Sequence, residues 1–334
     1  MTPRGTAGAA ARCWALGARL AILRAVQIGQ PGADRWDVVG FGANSVDQVV
    51  LLPAAPAPEG PRAKLPITRE VISCGGQMAT ALGTCARFGL RTTYIGVTGT
   101  DENGARIRAA LEGLGIDLAH LVVREGRNQH AIILVDEQRG ERIVLWDRDP
   151  RLQLDPAALP FDVVDAARLV HVDDVDQEAA VALAEAGRRA GRIVTSDIDR
   201  ITPRTAALVA AVTVPIFAEH VPAALTGIAG SEGALRALRR THAGLLVVTL
   251  GAAGAMALEG DRLHHVPGFR VEVVDTTGSG DVFRGGFVYG LLRGWPVPDV
   301  LRFANAAAAA SCRRLGALNG VPSLEEVEAL LAGG

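Results

Sequence analysis

Residues 275–287 hold the side chains whose types and spacing best suit catalysis. Three small residues, Gly278, Ser279 and Gly280, stand directly before Asp281, and a Gly-rich apolar stretch follows. Small residues at the start of a helix leave successive backbone N–H groups open to bind an anion. A carboxylate beside bound phosphate can orient or deprotonate an attacking hydroxyl, so the segment indicates phosphoryl transfer. The alternative is a Gly-rich turn whose Asp281 only complements the helix dipole.

A strand and a helix are expected to hold this segment in place. Residues 271–274 form a β run that predicts a strand, and the apolar stretch after Asp281 predicts a helix. From about residue 152 the chain alternates β-rich runs with helical stretches, and residues 245–250 are an uncharged run typical of a strand buried on both faces. We therefore predict an α/β fold with a doubly wound, mainly parallel sheet flanked by helices.

Two β-rich patches, near residues 48–72 and 130–147, interrupt this alternation. Within the second patch, residues 131–135 and 142–146 flank a polar turn, which predicts a hairpin. Strands that leave a doubly wound sheet at two points are expected to meet as one accessory sheet. We predict that these segments form a small β-sheet lid on a main domain that spans residues 36–334.

Residues 1–35 differ from the rest of the chain. They are rich in Ala and Arg, and no acidic residue precedes Asp34. A targeting segment is one interpretation, but Arg19 and Arg24 interrupt the apolar stretch that a signal peptide or a membrane span needs. We expect a disordered N-terminal extension.

The composition excludes several classes of function. The chain has 34 Lys+Arg and 36 Asp+Glu, a balance that argues against nucleic acid or a membrane surface as a partner. The four cysteines, Cys13, Cys74, Cys85 and Cys312, show no CxxC spacing. We therefore expect neither a disulfide framework nor a structural zinc site, and a cytoplasmic location.

The segment around Asp281 resembles the C-terminal signature of the ribokinase-like (PfkB) carbohydrate kinases. The similarity runs through residues 275–288, and weaker likeness covers nearly all of residues 36–331. Residues 37–42 with Asp47 resemble the family's first strand and its sugar-binding aspartate, and residues 95–104 resemble a glycine turn of the family. The resemblance implies a ribokinase-like fold and ATP-dependent phosphorylation of a sugar hydroxyl.

The resemblance also implies roles for individual residues. Asp281 would be the general base, and Gly278, Ser279 and Gly280 the anion hole. The implied sugar-binding residues are Asp47, Gly75, Gly76, Thr80 and the lid residue Lys64. The implied nucleotide-binding residues are Thr249, Gly251, Gly254 and Asn305. The implied ligands of a monovalent cation are Asp275, Thr277, Ser311, Arg314, Gly316 and Gly320. The implied cofactors are ATP, Mg²⁺ and K⁺, and the implied partners are a small sugar and a second copy of the chain, paired through the lid.

Three positions depart from the family's pattern. The usual N-x-x-E reads Ala218-Glu219-His220-Val221 here, which leaves Glu219 as a candidate for Mg²⁺, with a solvated loop as the alternative. Thr80 replaces a common Asn, and Ser45 stands where ribose kinases carry Asn. These changes argue against ribose as the substrate more than against kinase chemistry.

The pattern is nearest to the sulfofructose-kinase-like branch of the family. Asp174 falls where that branch carries a sulfonate-binding arginine, and a carboxylate there would repel a sulfonate. We therefore expect a neutral ketose or aldose. The alternatives are a sulfofructose kinase, a nucleoside kinase of the same fold, and a non-catalytic sugar- or nucleotide-binding regulator. The acidic run at residues 173–176 follows a predicted strand, where it would either contact a ligand or cap the next helix.

Overall fold

The computed structural model describes residues 34–139 and 142–333. The predicted extension, residues 1–35, therefore lies almost entirely outside the described residues. The described residues form two β-sheets, and helices cover both faces of the larger sheet. Within these ranges no helix is both long enough and apolar enough to cross a membrane.

Thirteen strands form the two sheets of the described residues. They are β1 (Trp36–Phe41), β2 (Ser45–Leu52), β3 (Arg69–Gly75), β4 (Thr92–Gly99), β5 (Leu121–Arg124), β6 (His130–Asp136), β7 (Arg142–Asp147), β8 (Ala167–Val172), β9 (Ile193–Ile198), β10 (Val214–Phe217), β11 (Leu246–Thr249), β12 (Ala255–Glu259) and β13 (Arg262–Val266).

Ten α-helices lie within residues 34–139 and 142–333. They are α1 (Gln77–Arg87), α2 (Glu102–Gly113), α3 (Gln177–Arg189), α4 (Thr205–Ala211), α5 (His220–Thr226), α6 (Ser231–Leu238), α7 (Ser279–Leu292), α8 (Val297–Ser311), α9 (Ala317–Gly320) and α10 (Leu324–Gly333).

The larger sheet has nine strands in the order β13-β12-β11-β10-β9-β8-β1-β4-β5. The strands from β11 to β5 are parallel, and β12 and β13 are antiparallel at one edge. Val38 and Val39 of β1 face two different hydrophobic cores, as a strand covered by helices on both faces requires. The predicted doubly wound, mainly parallel sheet is confirmed.

The chain order reverses around β1, which lies between β4 and β8. Open α/β sheets bind ligands at such a switch point, outside the carboxyl ends of the strands. The loops that follow β1 and β8 meet there, because the Asp173 carboxylate accepts a 2.6 Å hydrogen bond from the Ala43 N–H. The fold therefore marks this edge of the sheet as the place for a site.

The smaller sheet has the order β3-β2-β6-β7. Strands β2 and β6 are parallel, and the other two pairs are antiparallel. Alternate residues face its two sides: Ile133 and Val144 face the cleft described below, and Ile132 and Leu145 are exposed on the other face. The predicted accessory sheet is therefore present, and its action as a lid stays a proposal.

The strand predicted at residues 271–274 is wrong. Val273 and Val274 are about half exposed and pair with no strand. The N–H groups of Val274 and Asp275 donate instead to the Cys312 carbonyl, at 2.8 and 3.2 Å. The sheet position beside β11 is already filled by the hairpin of β12 and β13, so this β-branched run lies outside the sheet.

Candidate functional site

An open cleft lies between the smaller sheet and the carboxyl edge of the larger one. It holds about 950 Å³ of empty space, part of it open to solvent. Both sheets and the N-terminal end of α7 contribute to its walls. The residues that line it include Asp47, Gly76, Arg142, Thr277, Gly278 and Asp281.

The loop before α7 directs backbone N–H groups into this cleft. Gly278 is the N-cap of the 14-residue helix and has a φ of 76°, a left-handed conformation that favours glycine. A Cβ at Gly278 would also lie 2.6 Å from the Cβ of Ala317. The Ser279 N–H donates to the Thr276 carbonyl, whereas Gly280 and Asp281 belong to the first helical turn, whose N–H groups lack intrahelical acceptors. The loop therefore has the features of an anion site at a positive helix end.

Asp281 lies beside a buried ion pair. Asp197 of β9 and Arg284 of α7 are both almost inaccessible to solvent, and their Oδ1 and Nη2 atoms are 2.6 Å apart. Burial raises the pKa of Asp281 to about 7, although the Arg284 charge and a hydrogen bond with Asp197 act in the opposite direction. A carboxyl group with a pKa near neutrality is well suited to act as a general base.

Asp47 offers a second carboxylate to a ligand in the same cleft. It lies in β2 and accepts a 2.8 Å hydrogen bond from the Ser45 hydroxyl. Burial raises the pKa of Asp47, and the nearby Asp275 adds to this effect. Gly75 leaves room for this carboxylate, since a Cβ there would lie 2.7 Å from the Asp47 Oδ2. Gly76 has a φ of 97° and packs on the backbone of Asn44.

Two other predicted sugar-binding residues lie apart from the cleft wall. Thr80 is fully buried in α1, and its hydroxyl has no hydrogen-bond partner among the described residues. It lies near the anion loop, because a Cβ at Gly278 would be 3.5 Å from the Thr80 Cγ2. Lys64 is exposed after the short 3₁₀ turn Gly60–Ala63, away from the residues that line the cleft.

The acidic run after β8 fixes loops instead of capping α3. Asp173 accepts hydrogen bonds from the N–H groups of Ala43 and Val175. Asp174 accepts from the N–H groups of Asp199 and Arg200, at 2.7 and 2.5 Å. Asp176 is the N-cap of α3 but makes no capping hydrogen bond, and its carboxylate pairs with Arg148 at 2.7 Å. The capping interpretation is therefore wrong.

The position of Asp174 weakens the expected repulsion of an anionic sugar. Asp174 is 1% exposed and does not line the cleft, whereas Arg200 does. Its Oδ2 accepts both hydrogen bonds from the loop after β9, and its Oδ1 is buried without a hydrogen-bond partner among the described residues.

The predicted nucleotide-binding residues lie together at the carboxyl end of β11. Gly251 and Gly254 have φ values of 54° and 91° in the loop that follows this strand. A Cβ at Gly254 would lie 2.1 Å from the Val266 carbonyl oxygen, which also accepts a hydrogen bond from the Asn305 amide. Thr249 donates its hydroxyl to the Phe217 carbonyl at 3.3 Å. The side chains of Thr249 and Asn305 therefore also hold the backbone around this loop.

The predicted monovalent-cation residues are brought together as well. Asp275 accepts hydrogen bonds from the N–H groups of Thr277 and Gly316, at 2.9 and 2.8 Å. A Cβ at Gly320 would lie 3.2 Å from the Ser311 carbonyl oxygen. The Thr277 hydroxyl is buried and has no hydrogen-bond partner among the described residues. Such an orphaned oxygen beside a carboxylate fits an oxygen-coordinated cation.

Arg314 and Glu219 contribute to these predicted metal sites in different ways. The Arg314 side chain pairs with Glu326, so only its carbonyl would be open to a cation. Glu219 is exposed directly after β10, at the carboxyl edge of the larger sheet. Within residues 34–139 and 142–333, no three His, Cys, Asp or Glu residues group as a metal site.

The smaller sheet contacts the anion loop through one arginine. The Arg142 Nη1 in β7 donates to the Thr276 hydroxyl at 3.0 Å. Trp146 of β7 lines the cleft and is 64% exposed. Both residues show that the smaller sheet forms part of the cleft wall.

Sequence reasoning missed Asp197, Arg284, Arg142 and Arg200 at this site. A signal existed for Arg284, because it is the single charge between Asp281 and Leu292 and lies one helical turn after Asp281. Asp197 lies near the carboxyl end of β9, at the edge of the sheet where ligands bind. That position could also have marked it as a site residue. The two cleft arginines carry no local pattern that separates them from solvated charges.

The chain is similar in sequence to known carbohydrate kinases. The sequence model described as "pfkB family carbohydrate kinase" matches residues 53–324. An uncharacterised sugar kinase of Archaeoglobus fulgidus is 30% identical over 265 residues, which cover 71% of this chain and 97% of that protein.

Solved structures share the fold. A candidate ribokinase of Agrobacterium tumefaciens superposes with a TM-score of 0.82 at 29% identity and covers 89% of this chain and 98% of its own. A candidate ribokinase II of E. coli, solved in complex with ATP and Mg²⁺, has a TM-score of 0.76 at 19% identity, over 90% of this chain and 100% of its own. The larger sheet with its accessory sheet is therefore a ribokinase-like fold.

Proposed function

The chain belongs to the pfkB family of carbohydrate kinases, and we propose that it transfers the γ-phosphoryl group of ATP to a hydroxyl of a neutral ketose or aldose. The observation that carries this proposal is the placement of Asp281, Gly278 and Asp47 along one cleft. The site thus offers an anion cradle, a base near neutral pH and a sugar-binding carboxylate within one cavity.

The transfer step needs one proton acceptor and one anion cradle. Asp281 accepts the proton of the sugar hydroxyl while the oxygen of that hydroxyl forms a bond to the γ-phosphorus. The bond from that phosphorus to the β,γ-bridging oxygen breaks, and its electron pair leaves with ADP. The N–H groups of Gly280 and Asp281, with Ser279 and Gly278 beside them, stabilise the negative charge on the phosphoryl oxygens.

We assign the nucleotide to the loop after β11. Gly251 and Gly254 let backbone approach the ligand, and Thr249 and Asn305 hold that loop. Mg²⁺, when bound with the nucleotide, would neutralise negative charge on the phosphates. Because Mg²⁺ takes only one or two protein carboxylates and keeps several waters, the exposed Glu219 fits as a contact to its water shell.

We assign a potassium-type site to the backbone beside the anion loop. Its ligands would be the Asp275 carboxylate, the Thr277 hydroxyl and carbonyls near Ser311, Arg314, Gly316 and Gly320. The orphaned Thr277 hydroxyl supports this assignment. Thr277→Val is expected to weaken activation by K⁺, whereas an unchanged dependence of turnover on K⁺ would reject the site.

A second candidate substrate is a sugar with an anionic substituent, as in sulfofructose. Arg142 and Arg200 both line the cleft, and neither forms an ion pair with a carboxylate of the described residues. An anionic group would offer these guanidinium groups a charge-assisted partner. Under this alternative, Arg200→Met lowers kcat/KM for the anionic sugar but leaves a neutral sugar unaffected.

We also propose a homodimer through the smaller sheet and a reducing, cytoplasmic compartment. The outer face of that sheet exposes Ile72, Ile132, Ile143 and Leu145, an apolar surface that a second copy would cover. Cys74, Cys85 and Cys312 are free thiols. Light scattering after size exclusion tests the dimer, and a monomer at micromolar concentration would reject it.

The experiment that tests the proposed function is ADP release over a panel of ketoses, aldoses, sulfosugars and nucleosides, with Mg²⁺ and K⁺ present. We expect turnover with one sugar class. A nucleoside as the best substrate would replace the sugar with a nucleoside acceptor. No turnover across the panel, with ligand binding detected by thermal shift, would favour a non-catalytic regulator.

A further inference from the structure

Behind the anion loop the larger sheet and α7 enclose a buried charge cluster that the proposed reaction does not use directly. Its members are Asp197 of β9 and Arg284 of α7, which form an ion pair at 2.6 Å with side chains no more than 4% exposed. Charged groups are rarely buried to this extent unless they are paired or serve a site.

Arg284 lies near both Asp281 and the backbone of the anion loop. It lies three residues after Asp281 on the same helix, so the two side chains share one face of α7. Its Nη1 lies 2.8 Å from the point that a Cβ on Gly280 would occupy. The guanidinium group therefore lies directly behind the backbone of the anion loop.

Asp197 completes the link between the ion pair and the base. It pairs with Arg284, and its carboxyl group lies close enough to that of Asp281 for each to affect the ionisation of the other. Burial raises the pKa values of both carboxyl groups. Two carboxyl groups and one guanidinium group therefore lie together, and the pair of acids holds its protons to a higher pH than exposed carboxyl groups do.

Several acids add negative charge around this cluster. Asp173 and Asp174 follow β8, and Asp199 follows β9. Burial raises the pKa of Asp173 to about 7. His171 of β8 is neutral, because burial and the charge of Arg284 lower its pKa to about 3. Arg142 and Arg200 line the cleft with Asp281, but Arg284 is the charged group that most favours the ionised form of Asp281.

We propose that Asp197 and Arg284 are positioning residues that hold the Asp281 carboxyl against the cleft and set the pH range in which it accepts a proton. This inference rests on the proposed function of Asp281 as base. Without Arg284, the ionised form of Asp281 loses the charge that most favours it. Without Asp197, Arg284 has only Asp281 to neutralise, and the base ionises more readily.

The two deletions are expected to act in opposite directions, which a merely structural role would not produce. In the pH profile of kcat/KM, Arg284→Met moves the midpoint of the acidic limb to higher pH, and Asp197→Asn moves it to lower pH. Each shift is expected to be about one pH unit or more. Arg284→Lys restores part of the shift. The control is Arg168→Met, which removes an arginine from the ion pair with Asp37 at the other end of the sheet and leaves the acidic limb in place.

Arg284→Met leaves Asp197 buried without its cation and can fail to fold. The double variant Asp197→Asn, Arg284→Met leaves no unpaired partner of that ion pair, and its acidic limb is expected above that of Asp197→Asn alone. Equal limbs in these two proteins would overturn the proposal.

The titration can also be read without turnover. With ¹³Cγ-aspartate labelling of the full chain, the signal lost in Asp281→Asn should titrate near neutral pH, and the signal lost in Asp197→Asn should titrate above the range of an exposed carboxyl group. Both signals should shift with Arg284→Met. Titration of both groups near pH 4 would overturn the inference. The expected titration in a protein that phosphorylates no sugar would uphold the pair and reject the proposed function instead.

Discussion

The two ends of the larger sheet carry aspartates, Asp37 buried and Asp281 partly buried, whose surroundings have opposite effects. At the amino end, Asp37 of β1 accepts hydrogen bonds from two arginines, Arg91 and Arg168. Burial tends to raise its pKa, but these donors outweigh it and the pKa is lowered. At the carboxyl end, Asp281 and Asp197 share one arginine, and the pKa of Asp281 rises to about 7.

The two ends differ in the number of arginines around each carboxylate, and this number separates a structural carboxylate from a reactive one. Asp37 has two cations and stays ionised, so it ties β1 to β8 and to the segment before β4. Asp281 has a share of one cation and faces the cleft, so it can exchange a proton near neutral pH. The ratio of acids to arginines, and not burial alone, distinguishes the two ends.

Asp281→Asn gives the largest expected effect on turnover. Loss of the base should lower kcat by about 10²- to 10⁴-fold, with little change in the KM for ATP. Steady-state kinetics with the best sugar measures this. The control Asp37→Asn should leave kcat near that of the unchanged protein, and a normal kcat in Asp281→Asn would contradict the role of Asp281.

Gly280→Ala tests whether the guanidinium group must lie behind the anion loop. A Cβ at this position would lie 2.8 Å from the Arg284 Nη1. We expect it to displace the guanidinium group, whose Nη2 pairs with Asp197. We expect kcat/KM to fall by about 10- to 100-fold, in the range of one lost oxyanion donor or somewhat less. Gly113→Ala, which meets no atom within 4 Å at the end of α2, is the matched control. Equal activity of the two variants would show that the contact is dispensable.

The two aspartate variants should change the stability of the protein at pH 8 in opposite directions. The pKa of Asp281 is higher in the folded protein than in the unfolded chain. The free energy of unfolding therefore falls as pH rises from about 4 through 7, because the unfolded chain releases this proton more readily. Asp281→Asn should therefore raise Tm by several degrees at pH 8 and by little at pH 5.

Asp37 has the reverse linkage. Its folded-state pKa is lowered, so its contribution to stability is present above the unfolded pKa near 3.9 and is lost as pH falls through the folded value. Asp37→Asn should lower Tm at both pH 5 and pH 8. Calorimetry at the two pH values compares the variants, and the same sign for both at pH 8 would refute the contrast between the two ends.

Arg142→Met gives the smallest expected effect. The side chain joins the smaller sheet to the anion loop through a 3.0 Å hydrogen bond to Thr276, but it is exposed. We expect the KM for the sugar to rise by about 3- to 10-fold, the equivalent of one modest hydrogen bond. Arg127→Met, which removes an exposed pair with Asp147 near the same sheet, should change KM little. A change in kcat alone would argue against a contribution of Arg142 to sugar binding.

Much of the fold could be predicted from the sequence because it follows from local patterns. Uncharged β-branched runs such as residues 245–250 identified parallel strands, and the hairpin near residues 131–146 identified the accessory sheet. Residues 271–274 have the same local pattern but form no strand. Sheet membership there depends on whether a neighbouring edge is free, which no local pattern records.

The candidate site was predictable where chemistry depends on adjacent residues. Gly278, Asp281 and Asp47 lie on the cleft as their motifs suggested. Asp174 and Arg284 could not be placed in the same way, because their roles depend on long-range contacts. The loop after β9 takes both hydrogen bonds of Asp174, and the pairing of Arg284 with Asp197 spans 87 positions of the chain.

The pH dependence of kcat/KM for the unchanged protein with its best sugar tests the central claim most directly. With Asp281 as a base whose ionisation is delayed by burial beside Asp197 and Arg284, activity should fall on the acidic side with a midpoint near pH 7. A profile that stays flat down to pH 5 and falls only near pH 4 would contradict the claim, because it would describe an ordinary exposed carboxylate.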